Sequence, residues 1–309
     1  MRCILEIWGE NIPLASGEVR GILEGEGMDF EFLAVDYPVV MVETESCDPL
    51  RRAGLLRRIS RYIYSGSEIP NLNMHFDNYA IRVRRREKNS GLKDVEKTLA
   101  RGIEGKVNLS NPQNVLRVYI GDNIYIGLEL FTLENFENRR AKNLPVSYPV
   151  TMHPRLARAM VNLARVKKGA RILDPFCGTG TILIEAGLAG MKPYGSDIDE
   201  RMLRASEINL KKFGIEAYLQ LIDVGDIEGE YDAIVTDPPY GRSSSTGGER
   251  IYALYERAFK RFSELVDRVV ISLPDERAIR TGEKYFTLRE VYPYKVHKSL
   301  TRYFSYFHI

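Results

Sequence analysis

Ala170-Arg171-Ile172-Leu173-Asp174-Pro175-Phe176-Cys177-Gly178-Thr179-Gly180-Thr181-Ile182-Leu183-Ile184-Glu185-Ala186 decides the fold of the C-terminal half. Residues 170–173 are a short apolar run that reads as a buried strand, and 181–189 reads as a helix. A strand that turns through glycines into a helix aims backbone N–H groups and a positive dipole end at a ligand. Gly178 and Gly180 carry no Cβ, so a ligand can approach the main chain there. Asp174 ends the strand at the carboxyl edge of the expected sheet, where open α/β folds bind ligands. An ordinary strand–helix connection reads the same way up to this point.

The downstream order separates the two. Lys192–Ser196 reads as a strand ending at Asp197, seventeen residues past Gly180 and close to the offset of about 20 for a ribose-binding carboxylate. Residues 217–222 read as a third strand ending at Asp223, and 231–236 as a fourth. The fourth ends in Asp237-Pro238-Pro239-Tyr240-Gly241. Two consecutive prolines lack N–H donors and stop a central strand abruptly. They leave an acid and backbone carbonyls at the sheet edge beside an aromatic ring. Such acceptors can hold an exocyclic amino group by its two hydrogens, and the ring can stack on a planar base.

From about Val150 onward the chain resembles class I S-adenosylmethionine-dependent methyltransferases, a Rossmann-like α/β fold. The resemblance implies a cofactor loop at Asp174, Pro175, Phe176, Cys177, Gly178, Thr179 and Gly180. It implies that Asp197 and the adjoining Ile198 face the ribose side of S-adenosylmethionine, and that Asp223 and Val224 face the adenine. Asp237–Tyr240 resembles the D-P-P-Y motif of enzymes that methylate amino nitrogens of bases. By that likeness Asp237, Pro238 and Tyr240 are the catalytic set, with Asp237 also beside the cofactor. Directly after it, Arg242 opens a Ser/Gly-rich stretch that could order over a bound base.

Composition bounds the rest. With 309 residues the chain has length for two or three domains. A net charge of +2 leaves nucleic acid to local basic patches. Cys3, Cys47 and Cys177 show no paired spacing, so neither a disulfide framework nor a metal site is expected, and a cytoplasmic location fits. No apolar run approaches the roughly 18 residues of a membrane span. Two glutamines among 28% charged residues suit a thermophile.

The N-terminal half reads as an α+β, ferredoxin-like domain over 1–66. Strands are expected at 3–8, 30–35 and 39–44, a short helix at 17–24, and an amphipathic helix at 49–62. A second segment, 67–131, has a strand running into Arg84-Arg85-Arg86, a helix over 91–103, a turn at 107–112, and a hairpin closing near Gly121-Asp122. It resembles a THUMP domain, an RNA-binding module of tRNA-modifying enzymes, which makes Arg84, Arg85 and Arg86 candidates for phosphate contacts. Residues 132–149 read as a linker. In the catalytic half, Thr151 reads as the cap of a helix over 151–164; His153 reads as a helix-start residue, with a place near the methionine end of the cofactor as the alternative, and two late strands complete the sheet.

The whole layout resembles the archaeal tRNA guanine-10 N2-methyltransferases, which implies tRNA as partner and N2-methylguanosine or its dimethyl form as product. Guanine at another tRNA position or in ribosomal RNA remains an alternative. The glycine turn with Asp197 also suits a nicotinamide cofactor, and a non-catalytic RNA-binding protein is a third reading. The residues leave a small protein activator open and carry no reading of oligomeric state.

Overall fold

The computed structural model describes residues 1–86, 92–148, 151–241, 250–297 and 300–309; Arg242 lies outside them. The elements of the N-terminal half are β1 (Arg2–Ile7), α1 (Ile12–Gly25), β2 (Phe30–Asp36), β3 (Val39–Thr44), β4 (Leu56–Gly66), β5 (Met74–His75), β6 (Tyr79–Arg85), α2 (Leu92–Ala100), β7 (Ile103–Glu104), β8 (Asn114–Ile120) and β9 (Ile124–Thr132). Seven strands form one sheet in the order β2-β3-β1-β4-β9-β8-β6. All its pairs are antiparallel except β6 with β8. Because β4 pairs with β9, the sheet runs through the boundary expected at 66/67.

Two expectations fail here. The helix over 49–62 is instead a 3-10 turn, Asp48–Arg52, followed by the eleven-residue strand β4. Its arginines fall at helical spacing, but Ile59, Tyr62, Ile63 and Tyr64 are β-branched or aromatic and favour a pleated surface. Pairing with β1 on one side and β9 on the other decides the outcome. Cys3 and Cys47, expected to be unpaired, form a disulfide. Cys3 lies opposite Val42 of β3, and the chain leaving β3 brings the Cys47 Cα to 6.9 Å from that of Cys3. Wide spacing in sequence hid a closeness that strand pairing creates.

A buried charge holds this sheet together. Glu6, 2% exposed, accepts from Arg58 Nη1 at 3.0 Å, from Tyr119 Oη at 3.1 Å and from Arg84 Nη1. Burial raises its carboxyl, but Arg58 and Arg84 outweigh that and leave it below the usual glutamate range. Of the arginine triplet, Arg84 thus pairs with a buried carboxylate while its own side chain stays 30% exposed. Arg86 makes an exposed pair with Asp122 at 3.1 Å.

The second half begins with α3 (Pro154–Leu163) and runs β10 (Arg171–Asp174), α4 (Thr181–Leu188), β11 (Lys192–Asp197), α5 (Glu200–Lys212), β12 (Tyr218–Leu221), β13 (Ala233–Thr236), α6 (Ile251–Leu265), β14 (Arg268–Leu273), α7 (Glu276–Gly282), β15 (Thr287–His297) and β16 (Leu300–His308). The sheet order is β12-β11-β10-β13-β14-β16-β15. Strands β10–β14 pair in parallel, and β16 is antiparallel to both neighbours, as expected for a Rossmann-like α/β sheet with a late hairpin. The chain leaves β10 first toward β11 and later returns to its other side as β13, so the topological switch point lies between β10 and β13. No helix of the described residues is long and apolar enough to cross a membrane.

The chain divides into two compact units. One holds Met1–Ser16, Met28–Arg51 and Leu55–Glu134; the other holds Gly17–Gly27, Arg52–Gly54 and Asn135–Ile309. Much of the stretch read as a linker thus belongs to the second unit. Phe136 is buried there, with the guanidiniums of Arg139, Arg155 and Arg158 over its ring at 4.3, 4.5 and 5.6 Å. Arg139 Nε and Arg158 Nη2 pair with Glu185 of α4 at 2.6 and 2.8 Å, all three residues being at most 5% exposed. Glu185→Gln keeps the volume but removes the counter-charge of two buried guanidiniums. Loss of about 3 kcal/mol or more is expected in urea unfolding; a loss below about 1 kcal/mol would mean that the cluster is not held by charge.

Candidate active site

Three strand ends converge at the switch point. At the end of β10, Asp174 is 2% exposed, and its Oδ1 accepts from the Phe176 N–H at 3.2 Å and the Thr236 hydroxyl at 2.7 Å. Thr236 is the last residue of β13, so this hydrogen bond ties the glycine turn to the double-proline turn at one sheet edge. At the end of β11, Asp197 Oδ2 accepts from the Gly178 N–H at 3.0 Å and Oδ1 from the Asp199 N–H at 2.9 Å.

The glycines have separate reasons. Gly178 has φ +51°, and a Cβ there would meet only Phe176 O, at 4.0 Å; the space above it is open. Gly180 has φ +81°, and a Cβ there would collide with Ser206 of α5. Gly178 is thus the point where a ligand can reach the main chain, whereas Gly180 lets α5 pack close. The Cys177 side chain is buried in the cluster of Leu183, Ile184, Leu203 and Leu210, so only its backbone faces the turn. The Thr179 carbonyl accepts from Asn209 Nδ2 at 3.0 Å, and the same side chain clamps both backbone groups of Val146. Pro175 continues the turn behind Phe176, which is half-buried against the main core.

Ile198 is 52% exposed beside Asp197, while Val224 is 2% exposed and belongs to the core. Asp223 accepts from the Gly225 N–H at 2.8 Å and pairs with Arg257 of α6. Burial raises the Asp223 carboxyl, yet Arg257 and the Gly225 N–H outweigh it and leave it low. His153, not the expected Thr151, caps α3, accepting from the Arg155 N–H at 3.2 Å.

At the double-proline turn, Asp237 Oδ1 accepts from the Tyr240 hydroxyl at 2.7 Å, and Oδ2 pairs with Arg302 Nη1 of β16 at 2.9 Å. The Tyr240 hydroxyl also lies 2.5 Å from Ser272 Oγ of β14. Burial, then the Asp237 charge, pushes the Tyr240 phenol well up, so it stays a donor. The Pro239 carbonyl accepts from Tyr255 Oη at 2.8 Å; that of Pro238 has no hydrogen bond among the described residues. Arg302, Ser272 and Tyr255 were not foreseen. Arg302 did leave a trace: in β16 it shares a face with the buried Phe304 and Tyr306, an odd place for an unpaired cation.

Burial, reinforced by Asp237 and Asp197, pushes the Asp174 carboxyl up to about 7 against Thr236 and Phe176. Its folded value lies above the unfolded one, so the folded protein binds this proton more tightly. That stability is fully present below pH about 4 and is lost as pH rises through about 7. Asp174→Asn should therefore stabilise the protein at pH 8, by on the order of 4 kcal/mol, and flatten the pH dependence of melting between pH 5 and 8. Equal slopes for the two proteins would remove the buried proton from the site.

Residues 142–303 match the family described as RMKL-like, methyltransferase domain. The tRNA (guanine(10)-N2)-dimethyltransferase of Methanothermobacter thermautotrophicus is 36% identical, with 95% of each chain covered. The tRNA (guanine(10)-N2)-dimethyltransferase of Pyrococcus abyssi is 34% identical over 97% of each. TrmN from Thermus thermophilus superposes with a TM-score of 0.55 at 19% identity, covering 100% of both chains, which is a likeness of fold.

Proposed function

The chain belongs to the tRNA (guanine(10)-N2)-dimethyltransferase family, and from that premise we propose that it methylates the N2 amino group of guanosine-10 in tRNA, giving mono- and then dimethylguanosine. It is a methyltransferase of tRNA guanine N2, and S-adenosylmethionine is its cofactor. A tRNA substrate makes the cytoplasm its compartment.

The open face of Gly178, the acid pair Asp174 and Asp197, and the exposed Ile198 fit that cofactor. A positive ligand meets the carboxylates, a ribose meets Asp197, and an adenine packs on Ile198. Asp223 is the acid nearest the end of β12 and serves the adenine amino group, with Arg257 fixing its direction. Bound there, S-adenosylmethionine supplies a methyl group on a positively charged sulfur.

Asp237 and the unengaged Pro238 carbonyl hold the two hydrogens of the guanine amino group. A carboxylate offers about four lone-pair positions, and Tyr240 and Arg302 use two of them. The guanine nitrogen is a weak nucleophile because its lone pair is delocalised into the ring. Holding both hydrogens aims that lone pair and stabilises the positive charge that develops on nitrogen. Asp237 takes the released proton directly or through water. The base stacks on the Tyr240 ring, on the face away from Arg302, which requires a nucleotide turned out of its helix. In the THUMP-like segment, Arg85 and Arg86 are the phosphate contacts.

The observation that carries this reading is the 2.7 Å hydrogen bond between Thr236 and Asp174, which supports one shared pocket for donor and acceptor. Nucleoside mass spectrometry of tRNA incubated with the protein and S-adenosylmethionine tests it. N2-methylated guanosine that maps to position 10 is expected; methylation confined to another base would overturn it.

A further inference from the structure

Between α6 and α7 lies an open groove of about 490 Å³, lined by Tyr252, Glu256, Arg277, Arg280, Thr281 and Lys284 among others. Three cations face it against one carboxylate. Glu256 is already engaged, by Lys284 Nζ at 2.7 Å and the Tyr285 hydroxyl at 2.8 Å. Arg277 and Arg280 have no carboxylate partner among the described residues. Along the lining, three cations against one carboxylate leave a local positive excess, with Asp275 held beside it by the Tyr252 hydroxyl.

The site is also held in shape. The Arg277 guanidinium lies 3.9 Å from the centre of the Tyr252 ring, and the Tyr252 hydroxyl donates to Asp275 Oδ2 at 2.7 Å. A guanidinium stacked in this way keeps its N–H fork free, and the fork matches the geometry of a phosphate. The Tyr252 ring meets the Tyr255 ring edge-on at 6.1 Å, and Tyr255 donates to the Pro239 carbonyl at 2.8 Å. The same two tyrosines thus brace the turn that holds the target base and carry the cationic groove beside it.

We infer that the α6–α7 groove binds backbone phosphates of the RNA next to the flipped nucleotide, with Arg277 and Arg280 as the contacts. The inference rests on the function proposed above and adds a second RNA-binding surface, on the catalytic unit itself. It gives the strand beside the extruded base a fixed anchor.

The test uses the full chain with a tRNA transcript. Arg277→Ala/Arg280→Ala should raise KM for tRNA more than tenfold at moderate salt. It should also flatten the slope of log binding constant against log salt by about 1.4 to 1.8, the loss of two phosphate contacts. S-adenosylmethionine affinity and melting temperature should not move. Arg277→Lys/Arg280→Lys should restore most of the salt slope, which a packing defect would not allow. An unchanged KM and salt slope in the alanine variant, alongside a wild-type protein that methylates tRNA, would overturn the phosphate site alone. A wild-type protein that methylates no tRNA would overturn the functional reading and the site with it.

Discussion

Asp237→Ala abolishes methyl transfer, to below about a thousandth of wild-type turnover, and leaves S-adenosylmethionine affinity within a few-fold. Three roles meet in this carboxylate. In the proposed reaction it holds an amino hydrogen, faces the charge that develops on nitrogen, and accepts the proton. Losing a positioned charge at a developing charge typically costs about 100- to 1000-fold, and loss of acid–base help adds to that. Cofactor affinity is spared because the glycine turn and Asp197 belong to other strand ends. Truncation also strands Arg302, which is 9% exposed, and leaves the Tyr240 hydroxyl to Ser272. Melting temperature must therefore be measured beside turnover, with Asp237→Asn as the variant that retains volume. Near-normal turnover in a folded Asp237→Ala protein would remove Asp237 from the reaction.

The second large effect belongs to Arg302. Its guanidinium pairs with Asp237 Oδ2 at 2.9 Å and lies 5.7 Å from the centre of the Tyr240 ring, so in the proposed reaction it acts through both. Arg302→Met keeps the apolar stem and removes the fork. Asp237 is then free to rotate about its side-chain bonds, and the amino group loses its aim. Turnover is expected to fall about 10- to 100-fold, in line with the cost of misplaced catalytic groups, while KM for S-adenosylmethionine changes little. Arg302→Lys should recover part of kcat, since the ion pair survives without the planar fork. Equal losses in kcat and cofactor affinity, with no recovery in the lysine variant, would point to a folding defect instead of positioning.

What was legible in the sequence was contiguous. Asp174–Gly180 and Asp237–Tyr240 each carry a strand end and its turn within a few residues, and the downstream acids Asp197 and Asp223 sit at the ends of readable strands. The missed groups come from elsewhere in the sheet. Ser272 reaches Tyr240 and Arg302 reaches Asp237 only because β14 lies beside β13 and β16 beside β14, pairings with no local signal. Tyr255 reads as one more apolar residue of a helix until its hydroxyl is seen on the Pro239 carbonyl. The same physics explains the errors. Helical spacing of arginines over 49–62 was overruled by pairing on both edges of β4. Cys3 and Cys47 met through β1 and β3. The polar stretch after Thr132 hid Phe136 and Arg139, whose partners lie on α3 and α4.

Transfer of labelled methyl groups to two tRNAs, one with guanosine and one with inosine at position 10, tests the amino-group chemistry most directly. Inosine keeps the ring and its stacking on Tyr240 but lacks the exocyclic nitrogen that Asp237 and Pro238 would hold. Full incorporation into the first tRNA and none into the second, with similar binding of both, is the predicted result. Equal incorporation into the two would contradict it.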